Sequence, residues 1–128
     1  MTHQEWLQIK HFKSAEFDDP TKPGSGLNMK WEIVSKLDQI RERIGQPLVV
    51  MSGYRTGEHN AQVGGVDGSA HTAGFAVDIA CRTSGLRFAI LQAALDVGIS
   101  RIGLGHTFIH LDVDPEKPQR VAWDYQSS

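Results

Sequence analysis

Ser69-Ala-His-Thr-Ala-Gly-Phe-Ala-Val-Asp78, answered further along by Thr107-Phe-Ile-His-Leu-Asp-Val113, decides how this chain reads. Gly74 sits in a Gly/Ser/Ala-rich turn, and Phe75 to Ala80 is an apolar run of the length and kind that forms a buried strand. Asp78 therefore falls inside a strand, between Val77 and Ile79. A carboxylate there is costly to bury unless it is paired or binds a metal. His110 poses the same problem in the second run. Alternation puts Asp112 on the face of His110 and turns Ile109 and Leu111 to the other. Two such strands side by side would aim Asp78 and His110 at one point, to which the turn adds His71. Alone, a buried His is usually a hydrogen-bonded core residue and an Asp after a glycine loop is usually a turn or cap. Together they make the two-nitrogen, one-oxygen donor set with which catalytic zinc keeps a position open for water. The expectation is a zinc hydrolase.

The flanking sequence supplies a scaffold. Asn28 is positioned to cap a helix from Met29 to Ile44, with Ile33, Val34, Leu37, Ile40 and Ile44 as its apolar stripe and Gly45 as its stop. Pro47-Leu-Val-Val-Met51 reads as a strand that delivers Ser52-Gly-Tyr-Arg55 at its end. A short helix over Glu58 to Val63 is ended by Gly64-Gly65. After the strand over Phe75 to Cys81, a second long helix spans Ser84 to Val97, with Leu86, Ile90, Leu91, Ala94 and Leu95 as buried positions and Gly98 as its stop. Strands over Ser100 to Leu104, Thr107 to Val113 and Arg120 to Trp123 complete an α+β fold, a central and largely antiparallel sheet with helices packed on it.

Composition narrows the function. With 128 residues, 40% of them hydrophobic, and no linker or repeat, the chain is expected to form a single domain over 1–128. A net charge of −2 offers no basic stripe for nucleic acid. Cys81 is the single cysteine, so no internal disulfide can form, and its apolar neighbours indicate a core thiol rather than a ligand. No signal peptide is visible at Met-Thr-His-Gln-Glu-Trp, and no apolar stretch approaches the roughly 20 residues of a membrane span. The product is expected to be cytoplasmic when made, without membrane insertion.

The pattern Ser69-x-His71-x-x-Gly74-x-Ala76-x-Asp78 with His110-x-Asp112 resembles the zinc D-alanyl-D-alanine peptidase family. That family includes murein carboxypeptidases, phage endolysins and the zinc-binding domain of hedgehog proteins. Ser52-Gly-Tyr-Arg-Thr56, Val63-Gly-Gly-Val66 and Ser14-Ala-Glu-Phe17 extend the likeness over nearly the whole chain. The resemblance implies a hedgehog/DD-peptidase-like fold, Zn2+ held by His71, Asp78 and His110, and Arg55 as a cation facing the substrate. It also implies that the substrate is a peptide of the peptidoglycan stem or cross-link. Better-known members carry an acidic general base three residues before the last His ligand, where this chain has Thr107. His106 is the nearest titratable substitute and is preferred to Asp112, which serves alternatively to orient a ligand histidine. Without the resemblance, a surface pairing of Arg55 with Glu58 or Asp67 reads as well as substrate contact. Tyr54 and Ser69 join it as substrate-binding candidates, Ser69 fixing the loop rather than acting as a nucleophile, and Trp123 is a further cleft candidate. His3, His11 and His59 read as ordinary surface.

The function expected is a peptidoglycan peptidase of phage or prophage origin, either a carboxypeptidase or an endopeptidase. It would reach the wall after release by a holin. The competing expectation is a zinc-binding wall module with little or no turnover, because the usual acidic base is missing.

Overall fold

The computed structural model describes residues 1–125, so residues 126–128 of the expected 1–128 domain lie outside the described residues. A short helix α1 (His3–Leu7) and two 3₁₀ turns (Ser14–Phe17 and Ser25–Asn28) precede the long helix α2 (Trp31–Ile44). Strand β1 (Val50–Ser52), helix α3 (Gly57–Gln62), strand β2 (Ala76–Ala80) and helix α4 (Ser84–Asp96) follow. Strands β3 (Arg101–Leu104), β4 (Phe108–Asp112) and β5 (Val121–Asp124) close the fold. The five strands form one sheet in the order β1-β2-β4-β3-β5. Every pairing is antiparallel except that of β3 with β5, which is parallel.

Alternation along the strands divides the sheet into two faces. Val77 and Ile79 of β2, Ile109 and Leu111 of β4 and Ile102 of β3 enter the core. There they join Ile33, Val34, Leu37 and Ile40 of α2 and Ile90, Ala93 and Ala94 of α4. Ala76, Asp78, His110, Asp112, Arg101 and Gly103 occupy the alternate positions, which belong to the opposite face.

The sequence expectations fare unevenly at the ends of elements. Gly45 stops α2 as expected, in the left-handed region at φ 72°. Asn28 does not cap that helix. Its side chain donates to the Ser25 carbonyl at 3.1 Å inside a 3₁₀ turn, and Lys30 occupies the N-cap position without a side-chain bond. Glu58 to Val63 becomes Gly57–Gln62, capped instead by the Thr56 hydroxyl at 3.1 Å from the His59 N–H. The first strand begins at Val50 and not at Pro47, because its register with β2 starts at Val50 opposite Ile79. Leu95, expected in the core, is 65% exposed, since α4 is apolar on more than one side and only its Ile90, Ala93 and Ala94 are buried. The last strand, expected over Arg120 to Trp123, runs Val121–Asp124 parallel to β3. Cys81 is buried at the end of β2, as expected of a core thiol.

Candidate metal centre

Three strands and one turn build the site. In the antiparallel register of β2 with β4, Asp78 stands directly opposite His110, which brings neighbouring side chains within reach on one face. His71 arrives from the turn before β2. Its N–H donates to the Ser69 hydroxyl at 3.1 Å, and the Gly74 N–H closes the turn on the His71 carbonyl at 3.3 Å. Gly74 has φ 80°, and a Cβ there would fall 2.3 Å from the Asn28 carbonyl oxygen, so a side chain would push the turn off the first half of the chain. Ser69 thus holds the loop, and it also lines the cavity described below.

His71, Asp78 and His110 each offer one ligand atom, and these atoms lie within 4.8 Å of one another. All three residues are buried. His71 Nδ1 lies 2.8 Å from the Gly53 carbonyl, which can only accept, so Nδ1 carries a proton and Nε2 is the nitrogen turned toward the centre. That Nε2 lies 3.3 Å from Asp78 Oδ1. His110 Nε2 meets Asp112 Oδ2 at 2.6 Å, while its Nδ1 lies 2.8 Å from Asp78 Oδ1. Carboxylates at both ring nitrogens require positive charge at this centre, as a proton or as a cation. Burial opposes that charge on His110, but the bonds to Asp112 and Asp78 outweigh it and raise the imidazole pKa above its ordinary value. Burial likewise opposes ionisation of Asp78, yet hydrogen bonds from His110 and His71 hold its carboxyl well below the usual carboxylate range. Two imidazole nitrogens and a carboxylate oxygen with orientation fixed from behind fit the donor chemistry of zinc.

Behind the three groups runs a second layer of partners. Asp112 Oδ1 accepts from Arg101 Nε at 2.7 Å and from the Asp114 N–H at 3.1 Å. Burial raises the Asp112 pKa, but the bond to His110, its charge, and these two contacts pull it below the ordinary value. The Arg101 guanidinium lies 5.1 Å from the Trp123 ring centroid, and Trp123 in turn lies 5.6 Å from the His110 ring. Gly103, opposite His110 in β3, makes this close approach possible, since a Cβ there would meet Trp123 Nε1 and the Tyr125 hydroxyl oxygen at 2.8 Å. Arg55 reaches Ser52 Oγ at 3.1 Å, Asn60 Oδ1 at 3.2 Å and Asp78 Oδ2 at 3.4 Å. It pairs with Asp78 and not with Glu58 or Asp67, the partners its sequence neighbourhood offered.

A cavity of about 410 Å³ opens on this centre. Val63 to Val66 form one rim, Phe108, Trp123 and Tyr125 an aromatic wall, and Arg55, Arg101 and Lys117 the cationic lining. Of the residues singled out in the sequence, Arg55, Ser69, His71, Asp78, His110, Asp112 and Trp123 meet here. Tyr54 and His106 do not line this cavity. Tyr54 lines a neighbouring hollow with Met1, Thr72 and Phe75, and His106 is exposed in the turn between β3 and β4. His59, read as surface, lies with Nδ1 3.0 Å from Oδ2 of the buried Asp19, and His11 is paired with Glu42. Arg101 and Lys117 went unnoticed in the sequence because nothing in the spacing of their own segments points to His110.

No curated protein matches the chain. A family model described as Peptidase M15 matches residues 7–112, a span that includes all three clustered residues together with Arg55 and Asp112. That family consists of metallopeptidases that are zinc-dependent in general, in keeping with the donor set found here. The chain belongs to the peptidase M15 family.

Proposed function

We propose that the protein is a zinc metallopeptidase that hydrolyses peptide bonds in the peptidoglycan stem or cross-link. The observation that carries this reading is the convergence of His71, Asp78 and His110 on the floor of an open cavity. Bound by these three residues, zinc supplies Lewis acidity and an activated water. The rest of the chemistry belongs to the chain's own groups. Gly53 fixes the His71 tautomer through its carbonyl, and Asp112 holds the Nε2 proton of His110, so that both rings present their free nitrogens inward. Arg55, at the cavity wall beside Asp78, is placed to stabilise charge that develops on a substrate carbonyl or to clamp a carboxylate. Trp123, Tyr125 and Phe108 give one side of the cavity an aromatic wall. Of the two proton acceptors offered by the sequence, Asp112 lines the cavity, and its engagement with His110 and Arg101 favours an orienting role. The carboxylates and imidazoles that line the cavity are His71, Asp78, His110 and Asp112, all tied into one network. This favours as second reading a zinc-binding wall module of low turnover.

The deciding experiment is incubation of the zinc-loaded protein with purified peptidoglycan, with fragments read by mass spectrometry. The expected result is new amino and carboxyl termini in stem peptides and no new reducing ends. Bound wall without new termini would replace the peptidase with the binding module. Release at the wall by a phage holin, and action of the chain as a single domain, remain part of this proposal.

A further inference from the structure

We infer that Lys117 is the specificity-determining anchor for a carboxylate of the substrate, a role that rests on the peptidase reading above. Three cationic side chains line the cavity, and two of them already serve protein groups. Arg55 is held by Ser52, Asn60 and Asp78, and Arg101 by Asp112 and the Pro118 carbonyl. Lys117 is half-buried, and among the described residues its ammonium makes no hydrogen bond or ion pair. The cavity's carboxylates do not claim that charge, since Asp78 and Asp112 are satisfied by the two histidines and the two arginines.

The backbone that carries Lys117 is built to hold it in place. Asp114 is buried and its side chain accepts from the Glu116 N–H at 3.0 Å, while the Asp112 carboxylate accepts from the Asp114 N–H. Gln119 Nε2 bridges the carbonyls of Asp114 and Lys117 at 2.9 and 2.8 Å, and Arg101 Nη1 donates to the Pro118 carbonyl at 2.6 Å. Pro115 and Pro118 fix φ on either side of the lysine. The same Asp112 and Arg101 that brace His110 thus brace this loop, so the backbone that carries the lysine keeps a set position relative to the centre. A lysine on a pre-ordered loop loses less freedom on binding an anion than one on a mobile loop. A carboxylate entering a cavity with apolar rims is the ligand that this unspent charge favours.

Two carboxylates of a stem peptide have this chemistry, the C-terminal one and that of the γ-linked D-Glu. The test uses a synthetic stem pentapeptide ending in D-Ala-D-Ala, its C-terminal amide, and the form amidated at D-Glu. Each is assayed for hydrolysis and for binding by calorimetry, with native, Lys117→Ala and Lys117→Arg zinc-loaded protein. Lys117→Ala is expected to raise KM and weaken binding by about 10- to 100-fold for the free pentapeptide, with kcat changed less than about threefold. Lys117→Arg should restore most of the loss. Amidation of the recognised carboxylate should weaken native binding by the same factor and leave Lys117→Ala unaffected, which identifies the source. Equal binding of all three peptides by native and Lys117→Ala protein would overturn the inference. Native protein that cleaves none of them would count against the peptidase reading, while the calorimetric comparison would still decide the role of Lys117.

Discussion

The two faces of the sheet are made from the same strands and obey opposite rules. On one, Ile79, Ile109 and Leu111 are fully buried and need only close packing, which is nondirectional. On the other, Asp78, His110 and Asp112 are nearly as buried, yet each depends on a partner at a particular atom. The difference teaches that burial here does not separate core from site, whereas the kind of satisfaction does. A second contrast sharpens the point. Asp19, wholly buried, accepts from the Thr21 N–H and hydroxyl at 2.7 and 2.6 Å, from the Thr56 N–H at 2.8 Å and from His59. Protein donors satisfy it fully, whereas Asp78 faces the two imidazoles with which it would share a cation.

The largest test of this contrast is to remove a polar-face group outright. His71→Ala and Asp78→Ala should lower zinc content from about one ion per chain to a small fraction of that, and any peptidase activity should fall below detection. Full occupancy in either variant, measured by elemental analysis, would remove that residue from the donor set. On the apolar face, Ile109→Ala should cost about 2–5 kcal/mol of stability in denaturant unfolding while the folded fraction keeps its metal. Lost metal with unchanged stability would show that the faces are not separable in this way.

Acid titration addresses Asp19. Burial opposes its ionisation, but the bonds from Thr21, Thr56 and His59 hold its carboxyl well below the usual range. A folded-state pKa below the unfolded value of about 3.9 means that the stabilisation is present above that pH and is lost as pH falls through the folded value. Asp19→Asn should therefore be less stable at neutral pH by about 1–3 kcal/mol and show a flatter decline of Tm below about pH 5. An unchanged acid limb would place the titration on other carboxylates. The smallest effects concern proton handling. Asp112→Asn should weaken zinc binding about 10- to 100-fold through its hold on His110, and His106→Ala should leave the rate within about threefold. A loss of about 10²-fold or more in His106→Ala, with zinc retained, would return that residue to the role of general base.

Much of this arrangement was readable from local pattern. The apolar runs around Asp78 and His110 announced two strands with a misfit polar residue in each, and period-two alternation placed Asp112 beside His110 correctly. The stripe of α2 and its glycine stop were equally local. What escaped was set by pairing between distant segments. The parallel register of β3 with β5 puts Gly103 level with Trp123, and no periodicity in either strand encodes that match. Arg101 looked like a strand residue without a task until β3 was laid beside β4, opposite Asp112. His59 was misjudged because its partner, Asp19, lies in a turn far away in sequence. Asn28 misled because a good capping side chain can serve a 3₁₀ turn just before the helix instead.

The contact of Trp123 with both His110 and Arg101 gives the molecule an optical gauge of its own centre. Indole emission is sensitive to a nearby positive charge, and here the adjoining ring is the one whose protonation and ligation are at stake. Trp6 and Trp31 instead pack partly buried against the core and carry no such information. With phenylalanine at those two positions, a single emitting indole would report the state of His110 directly, without substrate, label or turnover.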